Sequence, residues 1–241
     1  MGDRHFYLTH ESIAAASDLL LRDYWTRLWP IQEILLARQL VAFIGSQQLS
    51  WTDIKALVIE LPRHFVGGHN FIPLSINYML GGGTHFKPKR DMFHRYHELA
   101  KTYVTNECSD PRHKLYGLMS VTDEGRRPAA DYSASVQDVY IAAVALIMNE
   151  ISSTAWLTKV YVTEVFVTCL RLADVMLPLT ERHKMNEKQR SVYAQQVLEH
   201  YWPSDEFMRR EEGSTTIHLM LQEVPKTLTS LMKELKSRFD L

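Results

Sequence analysis

The chain has 241 residues, 27 basic and 28 acidic side chains for a net charge of -1, with 46% hydrophobic and 23% charged residues. There is enough apolar material to offset chain entropy, which excludes disorder over most of the length. The near-zero charge lacks the basic field of a general nucleic-acid binder, and the longest apolar run, Val139 to Met148, is about half of what a bilayer requires.

Most segments read as helix. Thr9 caps a helix to about Arg22, with Ile13, Ala16, Leu19 and Leu20 on one face. Pro30 suits the first turn of a second helix, running to about Arg38. Leu40 to Ile44 reads as a short buried strand stopped by Gly45. Ser50-Trp51-Thr52-Asp53 resembles a capping box, with Asp in place of Glu, and opens a helix to about Leu61.

From Pro62 to Pro88 glycines and prolines break the pattern, and a loop-rich stretch is expected. Met92, Tyr96, Leu99, Ala100 and Tyr103 then mark one face of a helix. Asp110-Pro111 starts a short helix carrying Leu115, Leu118 and Met119, and Ser135 caps a longer one through Ile151. Val160 to Val167 fits strand and buried helix equally well by period. A charged stretch, Glu181 to Arg190, leads into a helix with Tyr193, Val197, Leu198 and Tyr201, ended by Pro203. Glu211 to Ser214 reads as a linker. The final helix carries Ile217, Leu221, Val224, Leu228, Leu231 and Leu235 at heptad spacing, which Pro225 is expected to interrupt.

Cys108 and Cys169 lie far apart and form no C-x-x-C pair, so an intracellular, cytoplasmic compartment is expected. The start, Met1 to Phe6, has no apolar run of a secretory signal and fails the myristoylation pattern at Phe6. His94 and His97 share a helix face, and His64, His69 and His85 fall in the loop-rich stretch. No H-E-x-x-H and no nearby cysteine accompany them, so no metal site is expected. Gly81-Gly82-Gly83-Thr84 lacks phosphate-loop spacing, and there is no G-x-S-x-G elbow.

Four collinear blocks resemble one family. Arg27-Leu28-Trp29-Pro30-Ile31-Gln32-Glu33, preceded by Tyr24-Trp25, is similar to the R-x-W-x-x-Q-E signature of fungal heterokaryon incompatibility (HET) domains. Leu35-Leu36-Ala37-Arg38, then Gly45 and Leu49-Ser50-Trp51, resembles the continuation. Ser109-Asp110-Pro111-Arg112-His113-Lys114-Leu115-Tyr116-Gly117-Leu118 resembles a third block, and Asp131-Tyr132-Ser133-Ala134-Ser135-Val136 a fourth. The front strands of the family's domain have no counterpart here, His113 replaces an Asp, Ala130 a Pro, and Pro30 an ordinary residue.

The resemblance implies a mainly α fold with a small β remnant: an incomplete TIR-like α/β element followed by a helical region. Residues 1–155 read as HET-related and 156–241 as a divergent, mainly helical region. It implies a role in nonself recognition and programmed cell death, regulatory or partner-binding, with a protein partner, no nucleic acid and no membrane. The TIR analogy offers a second reading, a NAD-cleaving enzyme with Glu33 as its carboxylate, stabilising an oxocarbenium-like transition state. On the first reading no cofactor is implied and the chain is not expected to act as an enzyme. A third reading is a truncated remnant without function. Arg27, Trp29, Gln32, Asp110, Arg112 and Tyr116 are the binding candidates, each more readily explained as structural: Trp29, Gln32, Leu35 and Leu36 at core spacing, Glu33 paired with Arg27 or Arg38, Asp110 as a helix cap, Arg112 and Lys114 facing solvent or nearby acids.

Overall fold

A computed structural model describes residues 9–61, 95–122, 129–152, 158–178, 184–201 and 214–239. The chain is mainly helical with a small two-stranded sheet. It separates into two compact units, residues 1–94 with 106–109, and residues 95–105 with 110–241. The expected division after residue 155 falls inside the second unit, between two helices that pack on one another. Pro62 to Pro88, Met92, His94, Glu181 and Pro203 lie outside the described residues.

The first unit opens with α1, His10–Leu20, whose first turn is capped by the Thr9 hydroxyl accepting the Ser12 N–H at 3.2 Å. A 3-10 turn, Asp23–Thr26, places Trp25 in the core, where its indole N–H donates to the Leu19 carbonyl at 2.8 Å. Helix α2 spans Trp29–Leu36 with Pro30 in its first turn. Its buried residues are Pro30, Ile31 and Ile34, while Trp29 is 41% and Leu36 56% exposed. The expected core stripe of Trp29, Gln32, Leu35 and Leu36 is therefore rotated. Only Gln32 and Glu33 are polar in this helix, too few to fix the phase of its buried face.

Strands β1, Val41–Ile44, and β2, Gln47–Ser50, pair antiparallel, with Val41 opposite Ser50 and Ile44 opposite Gln47. Gly45 takes φ +60° in the two-residue turn, a conformation in which a Cβ is strained. β1 is not the buried strand expected: Val41 is 48% and Phe43 71% exposed. A two-stranded hairpin leaves alternate side chains uncovered on one face. The strands lead into a helix in a β-β-α arrangement, and no βαβ unit occurs among the described residues. Helix α3, Trp51–Glu60, follows with a complete capping box: Ser50 Oγ accepts the Asp53 N–H at 3.1 Å and Asp53 accepts the Ser50 N–H at 3.3 Å.

The second unit holds α4 (Tyr96–Tyr103), α5 (His113–Met119), α6 (Val136–Ser152), α7 (Lys159–Met176), α8 (Glu187–Tyr201) and α9 (Ser214–Phe239). Val160 to Val167 is helix, capped by Thr158, with Val162, Val165 and Phe166 buried. A reciprocal pair between Asn186 and Gln189 opens α8, at 2.8 and 2.9 Å. α9 runs unbroken through Pro225, and Ser214 belongs to it rather than to a linker. A proline removes only one helical hydrogen bond, which a long packed helix tolerates. α4 packs on α5, α6 and α7, α6 on α7 and α9, and α8 on α7 and α9. No described helix is long and apolar enough to cross a membrane.

Candidate functional site

In the first unit, a cleft of about 470 Å³ is lined by Arg22, Tyr24, Trp25, Glu33, Trp51 and the run Leu40 to Ile44, among others. Glu33 sits just past the first turn of α2, exposed, and accepts the Tyr24 hydroxyl at 3.2 Å. Burial raises the Tyr24 pKa, and the neighbouring Glu33 carboxylate raises it further. Among the described residues Glu33 makes no ion pair with Arg27 or Arg38, so the expected pairing gives way to Tyr24. Trp25 meets the edge of Tyr24 at 5.1 Å between centroids and lies 6.5 Å from Trp51. One carboxylate therefore stands beside three aromatic rings.

Arg27, Trp29 and Gln32 do not line this cleft. Arg27 contributes its backbone: the buried Asn106 side chain donates to the Trp25 and Arg27 carbonyls, at 3.2 Å each. Glu107 adds two backbone bonds, giving its N–H to Thr26 at 2.6 Å and accepting that of Leu28 at 2.8 Å. The first half of the signature is thus held by a segment about 80 residues away in sequence, which no local pattern reveals.

In the second unit, the third and fourth blocks meet. Asp110 accepts the Arg112 N–H at 2.9 Å and the guanidinium at 2.8 to 3.1 Å. These hydrogen bonds hold the Asp110 pKa down. Arg112 also donates to the Ala134 carbonyl at 3.2 Å, and Tyr116 to the Asp131 carbonyl at 3.0 Å. Tyr132 packs edge-on against His113 and Tyr116. Asp110 is a turn residue that clamps Arg112 and not a side-chain cap, since α5 begins at His113 with no such cap. Lys114, expected to face solvent or pair with nearby acids, is 4% exposed. It shares a face with Leu115 and Leu118, both buried, so the helix turns it inward.

A third constellation carries no signal in the local sequence pattern. Glu150, 5% exposed on α6, accepts the N–H groups of Tyr96 and His97 at 2.9 and 3.0 Å and the His97 Nδ1 at 3.2 Å. It caps α4, whose own N-cap residue, Arg95, provides no side-chain cap. His97 Nε2 reaches Glu98 at 2.9 Å and the Tyr161 hydroxyl. Burial alone lowers the His97 pKa, but its hydrogen bonds to the Glu150 and Glu98 carboxylates raise it overall. A carboxylate, an imidazole and a phenol in line resemble a proton relay. The hydrogen bonds among them tie α4, α6 and α7 together.

Among the described residues no group of three His, Cys, Asp or Glu is placed to hold a metal ion. Cys169 is buried, Cys108 half-buried, and neither is part of a disulfide. No protein-family model, no curated protein and no solved structure matches this chain.

Proposed function

We propose that this chain is a HET-related protein of fungal nonself recognition, acting in the cytoplasm through protein partners and regulating programmed cell death. Four collinear blocks support the reading. The observation that carries it is that the third and fourth blocks, 20 residues apart at Arg112 and Tyr132, are clamped together by their own signature residues. Signature residues that hold one another support reading the two blocks as one structural unit. Co-expression in a fungal host with HET partners tests it. Growth arrest with at least one partner is expected, and a uniform absence of any viability phenotype would overturn it.

The second reading is NAD cleavage, with NAD as substrate. Its support is the position of Glu33 on an aromatic cleft, hydrogen-bonded to Tyr24. A carboxylate there can stabilise positive charge developing on a ribose ring. Purified chain incubated with NAD decides it: turnover must occur and must vanish in Glu33→Ala.

A further inference from the structure

We infer that the outer edge of β1, where it opens on the cleft, docks an extended peptide segment of a partner protein that carries one basic side chain. The inference rests on the partner-binding reading and gives that partner its chemistry.

Five successive residues, Leu40 to Ile44, line the cleft. Strand side chains alternate between faces, so a cleft over one face meets every second residue. An uninterrupted run is met along a strand's edge. The hairpin geometry agrees. Ile44 and Gln47 close the two-residue turn and form its hydrogen-bonded pair. Alternation makes Ala42 and Leu49 the next bonded pair. Val41 and Phe43 therefore turn their N–H and C=O groups away from β2, toward the outer edge. Among the described residues those groups have no hydrogen-bond partner. The opposite edge of the hairpin is blunted, because Asp53 takes the Ser50 N–H. An open edge beside side-chain pockets is the geometry of strand addition.

Charge selects the occupant. Glu33 is exposed, and its hydrogen bond is to the Tyr24 phenol, a neutral donor. A lysine or arginine from a docked strand can pair with it while its stem lies along Trp25, Trp51 and Tyr24. Arg22 lines the same cleft and repels a second cation, so a polybasic run is disfavoured.

The experiment is a display selection of random linear peptides on the full chain. Enriched peptides are then synthesised and measured by fluorescence anisotropy. Alternating sequences with a single Lys or Arg are expected. N-methylation of alternate peptide residues should weaken binding about a hundredfold, the loss of two backbone hydrogen bonds. Glu33→Gln should weaken it roughly twofold to fivefold. Phe43→Pro removes an N–H on the outer edge and leaves the β1–β2 ladder intact; it should abolish binding, whereas Phe43→Ala should retain most of it. If Phe43→Pro melts early, the N-methylated peptides decide alone. Amide exchange should slow at Val41 and Phe43 on binding.

No enrichment, indifference to N-methylation, or protection confined to helices would overturn the inference. Concentration-dependent protection of Val41 and Phe43 without peptide would identify a second copy of the chain as occupant and overturn it too. The wider reading fails separately. Growth arrest that persists in Phe43→Pro, with no peptide enriched, removes the edge and leaves the nonself role. Peptide binding with no phenotype in any fungal pairing does the reverse.

Discussion

The Arg112 guanidinium stands 5.5 Å from the centre of the Tyr132 ring while donating to the Tyr132 backbone carbonyl. One side chain thus engages both the π face and the main chain of the same residue, and Asp110 fixes its plane from behind. The turn that leads into α6 is held by a cation from another helix's entry.

Arg112→Ala should release that turn. Amide exchange at Ser133 and Ala134 is expected to quicken about tenfold or more, with a lower melting temperature. Arg112→Lys should not restore protection, because an ammonium cannot reproduce the planar fork toward Asp110 and two carbonyls. Exchange followed by mass spectrometry reads both.

Glu150→Ala strips the cap from α4 and leaves the Tyr96 and His97 N–H groups buried without an acceptor. A loss of about 3 kcal/mol is expected in urea unfolding. Glu150→Gln keeps an acceptor and should lose roughly half of that.

The same network sets a pH window. The Glu98 and Glu150 pKa values are lowered in the fold, so their contribution is present above the ordinary 4.5 and fades as pH falls through the lowered values. For Glu98 the His97 hydrogen bond leads; for Glu150 burial opposes the shift and hydrogen bonds from His97 outweigh it. His97 has a raised pKa, so its contribution is complete below the ordinary 6.5 and is lost as pH rises through the raised value. Thermal stability should peak between about pH 5 and 6.5 and decline into the alkaline range. His97→Gln should flatten the alkaline decline; an unchanged profile would show that the decline arises elsewhere.

Asn106→Ala leaves the Trp25 and Arg27 carbonyls without their side-chain donor. A cost of about 2 kcal/mol is expected by denaturant titration, since the Trp25 acceptor is buried and the Arg27 acceptor part-buried.

Gly45→Ala should cost about 1 kcal/mol through backbone strain alone, because a Cβ there meets nothing within 4 Å. Gly45→Asn should cost less, since Asn visits the left-handed region more readily.

Local chemistry was legible where it is local. The Thr9 and Ser135 caps, the Ser50–Asp53 box and the helix around Leu99 all follow from spacing within four residues. The hidden features are those in which distant residues complete a local defect. Glu150 supplies the cap that Arg95 lacks, and Asn106 serves carbonyls near Trp25. The buried face of α2 is not legible, because a helix with two polar residues carries no directional signal. Val160 to Val167 was ambiguous because a helix buried on much of its circumference reads like a buried strand. Glu33 was legible as a candidate from its signature, but the cleft and the open edge of β1 arise only when the hairpin is placed beside α2.

The return of residues 106–109 to the first unit also bears on synthesis. The chain emerges from the ribosome in sequence order, so the first unit stays incomplete until Asn106 and Glu107 have left the exit tunnel. By then α4 has already emerged, and its cap, Glu150, is still to be translated. Neither unit can finish before a part of the other is made, and the nascent chain must hold an uncapped helix open across that interval.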